Sequence, residues 1–270
     1  MTEFLLEARD LKKSYPRSSR LLATAAGDDE ERIAAVNGVS IELAVGETLA
    51  IVGESGCGKT TLARMLLRLI EPDSGEIRFA GQDLRAVRGA ELRALRREMQ
   101  MIFQDPFASL NPRMRVGELV GEPLAIHEPA MSRRERLERT AAVLERVGMG
   151  ADALGRHAHE FSGGQRQRIG IARALILRPK LLVADEPVSA LDVSVGAQIL
   201  ELLAELQREF SLTVLLISHS LPVVAQLATR VAVMQVGNFV ETGPAERILN
   251  QPAHPYTRAL LAAVPEVPAA

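Results

Sequence analysis

Cysteine is nearly absent from this 270-residue chain, with Cys57 standing alone. A single thiol excludes an internal disulfide framework and any Cys-rich zinc or iron–sulfur site. Charge excess is missing too: 32 Lys and Arg against 34 Asp and Glu leave a net charge of −2, without the basic surplus of a dedicated nucleic-acid binder. Arginines do cluster (Arg93, Arg96, Arg97; Arg133, Arg134, Arg136, Arg139), but Glu91, Glu98, Glu135 and Glu138 interleave them, as on solvated helix faces. No long apolar run is present. The longest stretch without formal charge, Ser211 to Thr229, divides into a strand-like run (Leu212–Ser218) and a helix starting near Ser220, so no membrane span is expected. The start, MTEFLLEARD, lacks the basic-then-apolar order of a signal peptide. These absences predict a soluble, cytoplasmic protein that reaches a membrane only through a partner.

What is present alternates between two periods. Short apolar runs within residues 4–15 and 33–52 read as strands, separated by the polar, turn-rich PRSSRLLATAAGDDEER, an exposed insertion. Thr48–Val52 reads as a buried strand, a helix follows through Leu62–Ile70, and Glu76–Phe79 reads as another strand. From Glu91 to Arg173 the pattern is mostly helical, including a stripe at Leu137, Ala141, Leu144 and Val147. Leu181–Ala184, Val214–Ser218 and Val231–Gln235 are further strands between helices. The chain is thus an α/β sheet core interrupted by a helical insert, with a Pro/Ala-rich tail, Val264–Ala270, expected to fray.

Between the strand at Thr48–Val52 and its helix lies Gly53-Glu54-Ser55-Gly56-Cys57-Gly58-Lys59-Thr60-Thr61, which fits G-x-x-x-x-G-K-[ST]. Glycines at 53, 56 and 58 let the backbone wrap a phosphate and adopt positive φ. Consecutive N–H groups then face the anion, aided by the dipole of the following helix. Lys59 is placed to reach the β- and γ-phosphates and the Thr60 hydroxyl to ligate Mg²⁺. Cys57 is expected to serve through its backbone alone.

About 130 residues later, LLVADEP ends an apolar strand in two acids. Asp185 falls at the strand's C-terminal edge, where open α/β sheets bind ligands, and is a candidate Mg²⁺ ligand opposite Thr60. Glu186 projects differently and is a candidate to polarise an attacking water.

FSGGQRQRIGIARAL (161–175) resembles the signature of the ATP-binding cassette (ABC) family, through Ser162, Gly163, Gly164 and Gln165. Physically, the Ser-Gly-Gly opens a helix whose positive N-terminus is a second anion site. Other motifs of that family follow at matching spacing. Gln104 in MIFQDP resembles its Q-loop glutamine, Ser189-Ala190-Leu191-Asp192 its D-loop, His219 its switch histidine, and Tyr15 the aromatic residue that stacks on adenine. The chain departs in two places: Phe161 stands where Leu is usual, and Ser220 where Asp is usual. Ser220 with Leu221-Pro222 still suits a capped helix start.

The resemblance implies a P-loop NTPase (RecA-like) parallel-sheet core, an N-terminal antiparallel β-subdomain at about 1–49, core segments at 50–103 and 175–240, a helical subdomain at 104–174 and a C-terminal extension at 251–270. It implies ATP and Mg²⁺ as ligands, with Thr60, Gln104 and Asp185 around the metal. Lys59, Gln104, Glu186 and His219 would serve hydrolysis, and Ser162–Gln165 would close on the ATP of a second ATPase subunit, a paralogue or another copy. The 16–32 insertion, QDPFASLNPR (104–113) and NQPAHPYTRALLAAVP (250–265) are similar to the dipeptide/oligopeptide/nickel importer branch, especially its F-type ATPase. That implies two transmembrane permease subunits, an extracytoplasmic solute-binding protein, no nucleic acid, and a peripheral place on the cytoplasmic face of the membrane. Peptide is the expected cargo, with nickel or another small solute as the alternative. A non-transport ABC ATPase stands further off, because only 58 positions separate Gln104 from Ser162, too few for a long coiled coil.

Overall fold

A computed structural model describes residues 3–16, 32–105 and 110–263. The insertion at 17–31, residues 106–109 of the QDPFASLNPR run and the tail from Val264 lie outside the described residues.

Two sheets organise the chain. In the first, β1 (Phe4–Pro16), β2 (Arg32–Ala44), β4 (Ser74–Phe79) and β5 (Gln82–Asp83) form an antiparallel sheet in the order β2-β1-β4-β5. In the second, β3 (Thr48–Val52), β6 (Met99–Ile102), β7 (Leu181–Asp185), β8 (Thr213–Ile217), β9 (Arg230–Gln235) and β10 (Asn238–Pro244) lie in the order β10-β9-β3-β8-β7-β6. All its pairings are parallel except β10 on β9. β3, β7 and β8 are buried at every position, as expected of parallel strands covered on both faces.

Alternation along those strands sorts the core into two layers. Leu49, Ile51, Leu181, Val183, Leu215, Ile217, Ala232 and Met234 face the antiparallel sheet and α1 (Lys59–Leu66). Ala50, Val52, Leu182, Ala184, Val214, Leu216, Val231 and Val233 face a helical layer. That layer is built from α3 (Val116–His127), α4 (Arg133–Arg146), α5 (Gly163–Leu175), α6 (Val193–Phe210), α7 (Leu221–Leu227) and α8 (Ala245–Asn250), while α2 (Gly89–Glu98) packs on the other layer. The last helix among the described residues is α9 (Pro255–Ala262). α6 is typical of how these helices are specified. Asp192 caps it by accepting from Val195 N–H at 2.9 Å, and Ile199, Leu203 and Leu206 line its buried face.

Four expectations need correction. The antiparallel sheet does not end near residue 49, because the β4–β5 hairpin returns to pair with β1. The helical stretch from Glu91 stops at Glu98: Met99–Ile102 is an edge strand on β7, so sheet pairing takes over where ELRALRRE ends. On α4 the expected stripe holds at Leu144 and Val147, both fully buried, but Leu137 is 51% exposed and Thr140 and Val143 complete the buried face. Thr140 is tolerated there because its hydroxyl donates to Arg136 O at 2.7 Å. Finally, the arginine clusters are not merely solvated: Arg97 and Arg139 both pair with Glu128, tying α2 and α4 to the end of α3.

Candidate functional site

The phosphate loop connects β3 to α1, and its shape is imposed by what lies behind it. A Cβ on Gly53 would sit 2.1 Å from Met234 O, and one on Gly58 would sit 2.0 Å from Ala35 O. Gly58 has φ +112°, so both space and conformation require glycine at the N-cap of α1. The turn after β9 supports the loop from the side: Gly237 N–H donates to Cys57 O at 2.9 Å, and Asn37 N–H donates to Gly237 O at 2.9 Å. The turn that gives this support has both Val236 and Gly237 at positive φ.

Lys59 is buried, and its ammonium donates to Gly53 O at 2.7 Å and Glu54 O at 2.9 Å. Glu54 and Ser55 are exposed, whereas Thr60 and Thr61 are half-buried at the start of α1. Cys57 is buried in the core between the sheets, with Sγ 3.9 Å from Lys59 Nζ. Burial pushes its thiol up, against the lowering influence of Lys59.

Asp185 ends β7 directly opposite the loop, and Thr60 Oγ1 donates to its Oδ1 at 3.2 Å. Only 2% exposed, its carboxyl is pushed up by burial; the bond from Thr60 lowers it, adjacent Glu186 raises it, and Arg64 and Lys59 pull it back. A desolvated carboxylate beside a hydroxyl is an oxygen donor set that fits a hard divalent cation such as Mg²⁺.

Glu186 leaves the strand in the left-handed conformation, φ +47°. This turns its side chain away from Asp185 and toward two partners. Gln104 Nε2 donates to Glu186 Oε2 at 2.8 Å, and His219 Nδ1 lies 3.2 Å from Oε1. Glu186 O also accepts from Ser189 N–H at 3.2 Å and from its hydroxyl at 3.1 Å, closing the turn that leads to Asp192. Strained backbone at such a point is characteristic of functional sites.

His219 is carried on a turn made by Ser218, whose hydroxyl accepts from Ser220 N–H at 3.0 Å and donates to Ser220 O at 3.3 Å. Ser220 occupies the N-cap of α7, but its side chain makes no cap bond, contrary to expectation. Pro222 has no N–H to offer, which removes one of the two donors a cap can use.

Ser162 and Gln165 form a capping box at the start of α5: Ser162 N–H donates to Gln165 Oε1 at 3.0 Å, and Gln165 N–H to Ser162 Oγ at 3.4 Å. Both residues are exposed, whereas Gly164 is buried with its would-be Cβ 2.3 Å from Val195 Cγ1. That contact docks the Ser-Gly-Gly turn against the N-terminus of α6, beside Asp192. Tyr15 is 41% exposed near the end of β1 and pairs with Ile33, two residues along β2 from Ala35, whose carbonyl abuts Gly58.

Comparisons with known proteins agree with this geometry. Residues 36–189 match the ABC transporter family, and residues 240–270 match the oligopeptide/dipeptide transporter C-terminal region. The oligopeptide transport ATP-binding protein AppF of Bacillus subtilis is 51% identical over 264 residues, 97% of this chain and 79% of that protein. The di/tripeptide transport ATP-binding protein DppF of Pseudomonas aeruginosa is 49% identical over 98% of this chain and 80% of its own length. Among solved structures, the dimeric post-hydrolysis state of the ATP-binding cassette MJ0796 bound to ADP and Pi superposes with a TM-score of 0.77 at 28% identity, covering 89% of this chain and 98% of that one. The two-sheet architecture, the phosphate loop facing Asp185 and these relationships together establish that the chain belongs to the ABC transporter family, as an ATP-binding protein of the oligopeptide/dipeptide importer type.

Proposed function

We propose that the chain is the ATP-hydrolysing subunit of an importer for dipeptides or oligopeptides. One observation carries the catalytic reading: Gln104, Glu186 and His219 converge at the end of β7, beside the Thr60–Asp185 pair and the phosphate loop. The peptide cargo is supported by the relatives' own functions and by the match over residues 240–270.

In this reading the N–H groups of Gly56, Cys57, Gly58, Lys59 and Thr60 hold the phosphates, and the Lys59 ammonium moves from its carbonyl partners to the γ-phosphate. Tyr15 stacks on the adenine. Thr60, Asp185 and Gln104 would hold Mg²⁺, which supplies charge neutralisation at the β- and γ-phosphates. Glu186 orients the attacking water and accepts its proton, while His219 stays within reach of both Glu186 and the γ-phosphate. Ser162, Gly163, Gly164 and Gln165 take the ATP of a second ATPase subunit as their ligand, with Ser162 and Gln165 exposed toward it and Asp192 at the same junction.

Two ATPase subunits then sandwich two nucleotides beneath two permease subunits, on the cytoplasmic face of the membrane. An extracytoplasmic solute-binding protein delivers the peptide. ATP favours the closed pair and hydrolysis releases it, so transport is a population shift driven by differential binding. The test is reconstitution of the complex in liposomes with peptide-loaded binding protein: ATPase activity should rise with peptide and fall at least a hundredfold in Glu186→Gln. Stimulation by DNA or ribosomes, with none from the permease, would overturn the assignment.

A further inference from the structure

The proposed roles leave the C-terminal helix unused, although it reaches the phosphate loop across 202 positions of sequence. Glu54 N–H donates to the Tyr256 hydroxyl at 3.1 Å. This N–H and the Gly53 carbonyl belong to one peptide unit. In a trans peptide the two groups point in opposite directions, so a single plane has its C=O on the Lys59 ammonium and its N–H on Tyr256. The next carbonyl, Glu54 O, accepts from Lys59 Nζ at 2.9 Å and from Cys57 N–H at 3.3 Å. Tyr256 therefore holds the back of the peptide whose front positions Lys59.

Tyr256 is itself held in place. Ala253 N–H donates to Glu241 Oε1 at 2.9 Å and His254 N–H to Oε2 at 3.0 Å, so a carboxylate on β10 fixes the approach to α9. His254 Nδ1 accepts from Tyr256 N–H at 3.2 Å and caps the helix. The Tyr256 ring packs against the helical-layer core, and burial pushes its phenol up, so it remains a neutral hydroxyl at physiological pH.

We propose that Tyr256 is a positioning residue of the phosphate loop, coupling the C-terminal segment to nucleotide affinity. Without the phenol, the Gly53–Glu54 peptide loses its rear anchor and the Lys59 ammonium its fixed starting geometry. The coupling is reciprocal: whatever orders α9 tightens nucleotide binding, and nucleotide orders α9 by the same factor. The inference rests on the ATPase reading.

Tyr256→Phe keeps the packed ring and removes only the hydroxyl. Its nucleotide Kd, measured with a fluorescent ADP on the full chain, should rise about threefold to tenfold, the scale of one neutral hydrogen bond. KM for ATP should rise by the same factor in the reconstituted complex, with kcat within twofold and Tm down by no more than the few degrees one hydrogen bond is worth. A purely structural tyrosine would lower Tm and leave affinity alone. In the wild-type chain, saturating ADP should slow amide exchange across residues 256–262 and at Glu54 at least threefold, a measurement that depends on no variant. Unchanged affinity in Tyr256→Phe, or unchanged exchange in the wild type, overturns the proposal while leaving ATPase function intact. Failure of the wild type to bind nucleotide at all would overturn both.

Discussion

Gly58→Ala tests the origin of the phosphate loop's shape. The new methyl carbon would stand 2.0 Å from Ala35 O, 2.9 Å from Met234 Cε and 3.2 Å from Ala35 C. Ordinary contact to a carbonyl oxygen needs about 3.3 Å, so the loop or β2 must yield by more than 1 Å. Holding a non-glycine residue at φ +112° adds about 1–3 kcal/mol of backbone strain. Displacing packed backbone adds a further ~1–3 kcal/mol. Gly56→Ala is the internal control. Gly56 has φ +83°, but a Cβ there meets nothing within 4 Å among the described residues, leaving only strain of about 1 kcal/mol. Urea melts of the nucleotide-free proteins should therefore rank wild type above Gly56→Ala above Gly58→Ala, with the last about 2–6 kcal/mol below wild type. Gly58→Ala should also bind fluorescent ADP at least tenfold more weakly, because loop donors useful to a phosphate must be held to about 0.5 Å. Equal stability of the two variants, or ADP affinity within twofold of wild type in Gly58→Ala, would refute the claim that Ala35 and Met234 mould the loop.

Three other perturbations read different parts of the molecule. Lys59→Ala removes a buried ammonium from two carbonyls and from the phosphates; isothermal titration should show nucleotide affinity down about thirtyfold or more. Asp73 accepts from Lys13 Nζ and Ser14 N–H, both at 2.8 Å, and these bonds, Lys13 first, hold its carboxyl at about 2. Its contribution is present above the usual carboxylate range and is lost as pH falls toward 2, so the deficit of Asp73→Asn, under about 1 kcal/mol for so exposed a pair, should be constant from pH 7 to 5 and shrink below pH 4 in urea melts. Cys57, buried and with a raised thiol, should alkylate slowly at neutral pH and faster as pH climbs above the ordinary thiol range; by mass spectrometry ATP should protect it and modification should track loss of activity.

The local chemistry was more legible in the sequence than the long-range geometry. Gly53–Thr60 and LLVADEP state their conformations through residue type and strand context, and the structure sets Thr60 3.2 Å from Asp185. Nothing local, by contrast, marks β4 and β5 as belonging with β1, because strand partners are chosen by non-local packing. Met99–Ile102 was hidden for a related reason: four residues after a strongly helical segment carry no period of their own, and only the free edge of β7 makes them a strand. Leu137 misled in the opposite sense: Leu144 and Val147 of its stripe are inside, but the neighbours of α4 leave Leu137 uncovered. Tyr256 was legible only as part of the NQPAHPYTRALLAAVP run that resembles the importer branch; its hydroxyl's destination depends on where Glu241 anchors the chain.

The left-handed turn at Glu186 has a consequence for the chain on its own. One carboxylate oxygen accepts from Gln104 and the other faces His219, so both are engaged before any nucleotide arrives. A water molecule entering beside a γ-phosphate would meet a carboxylate with both oxygens in use, so in the proposed reading it shares Glu186 with the glutamine and the histidine rather than finding it free.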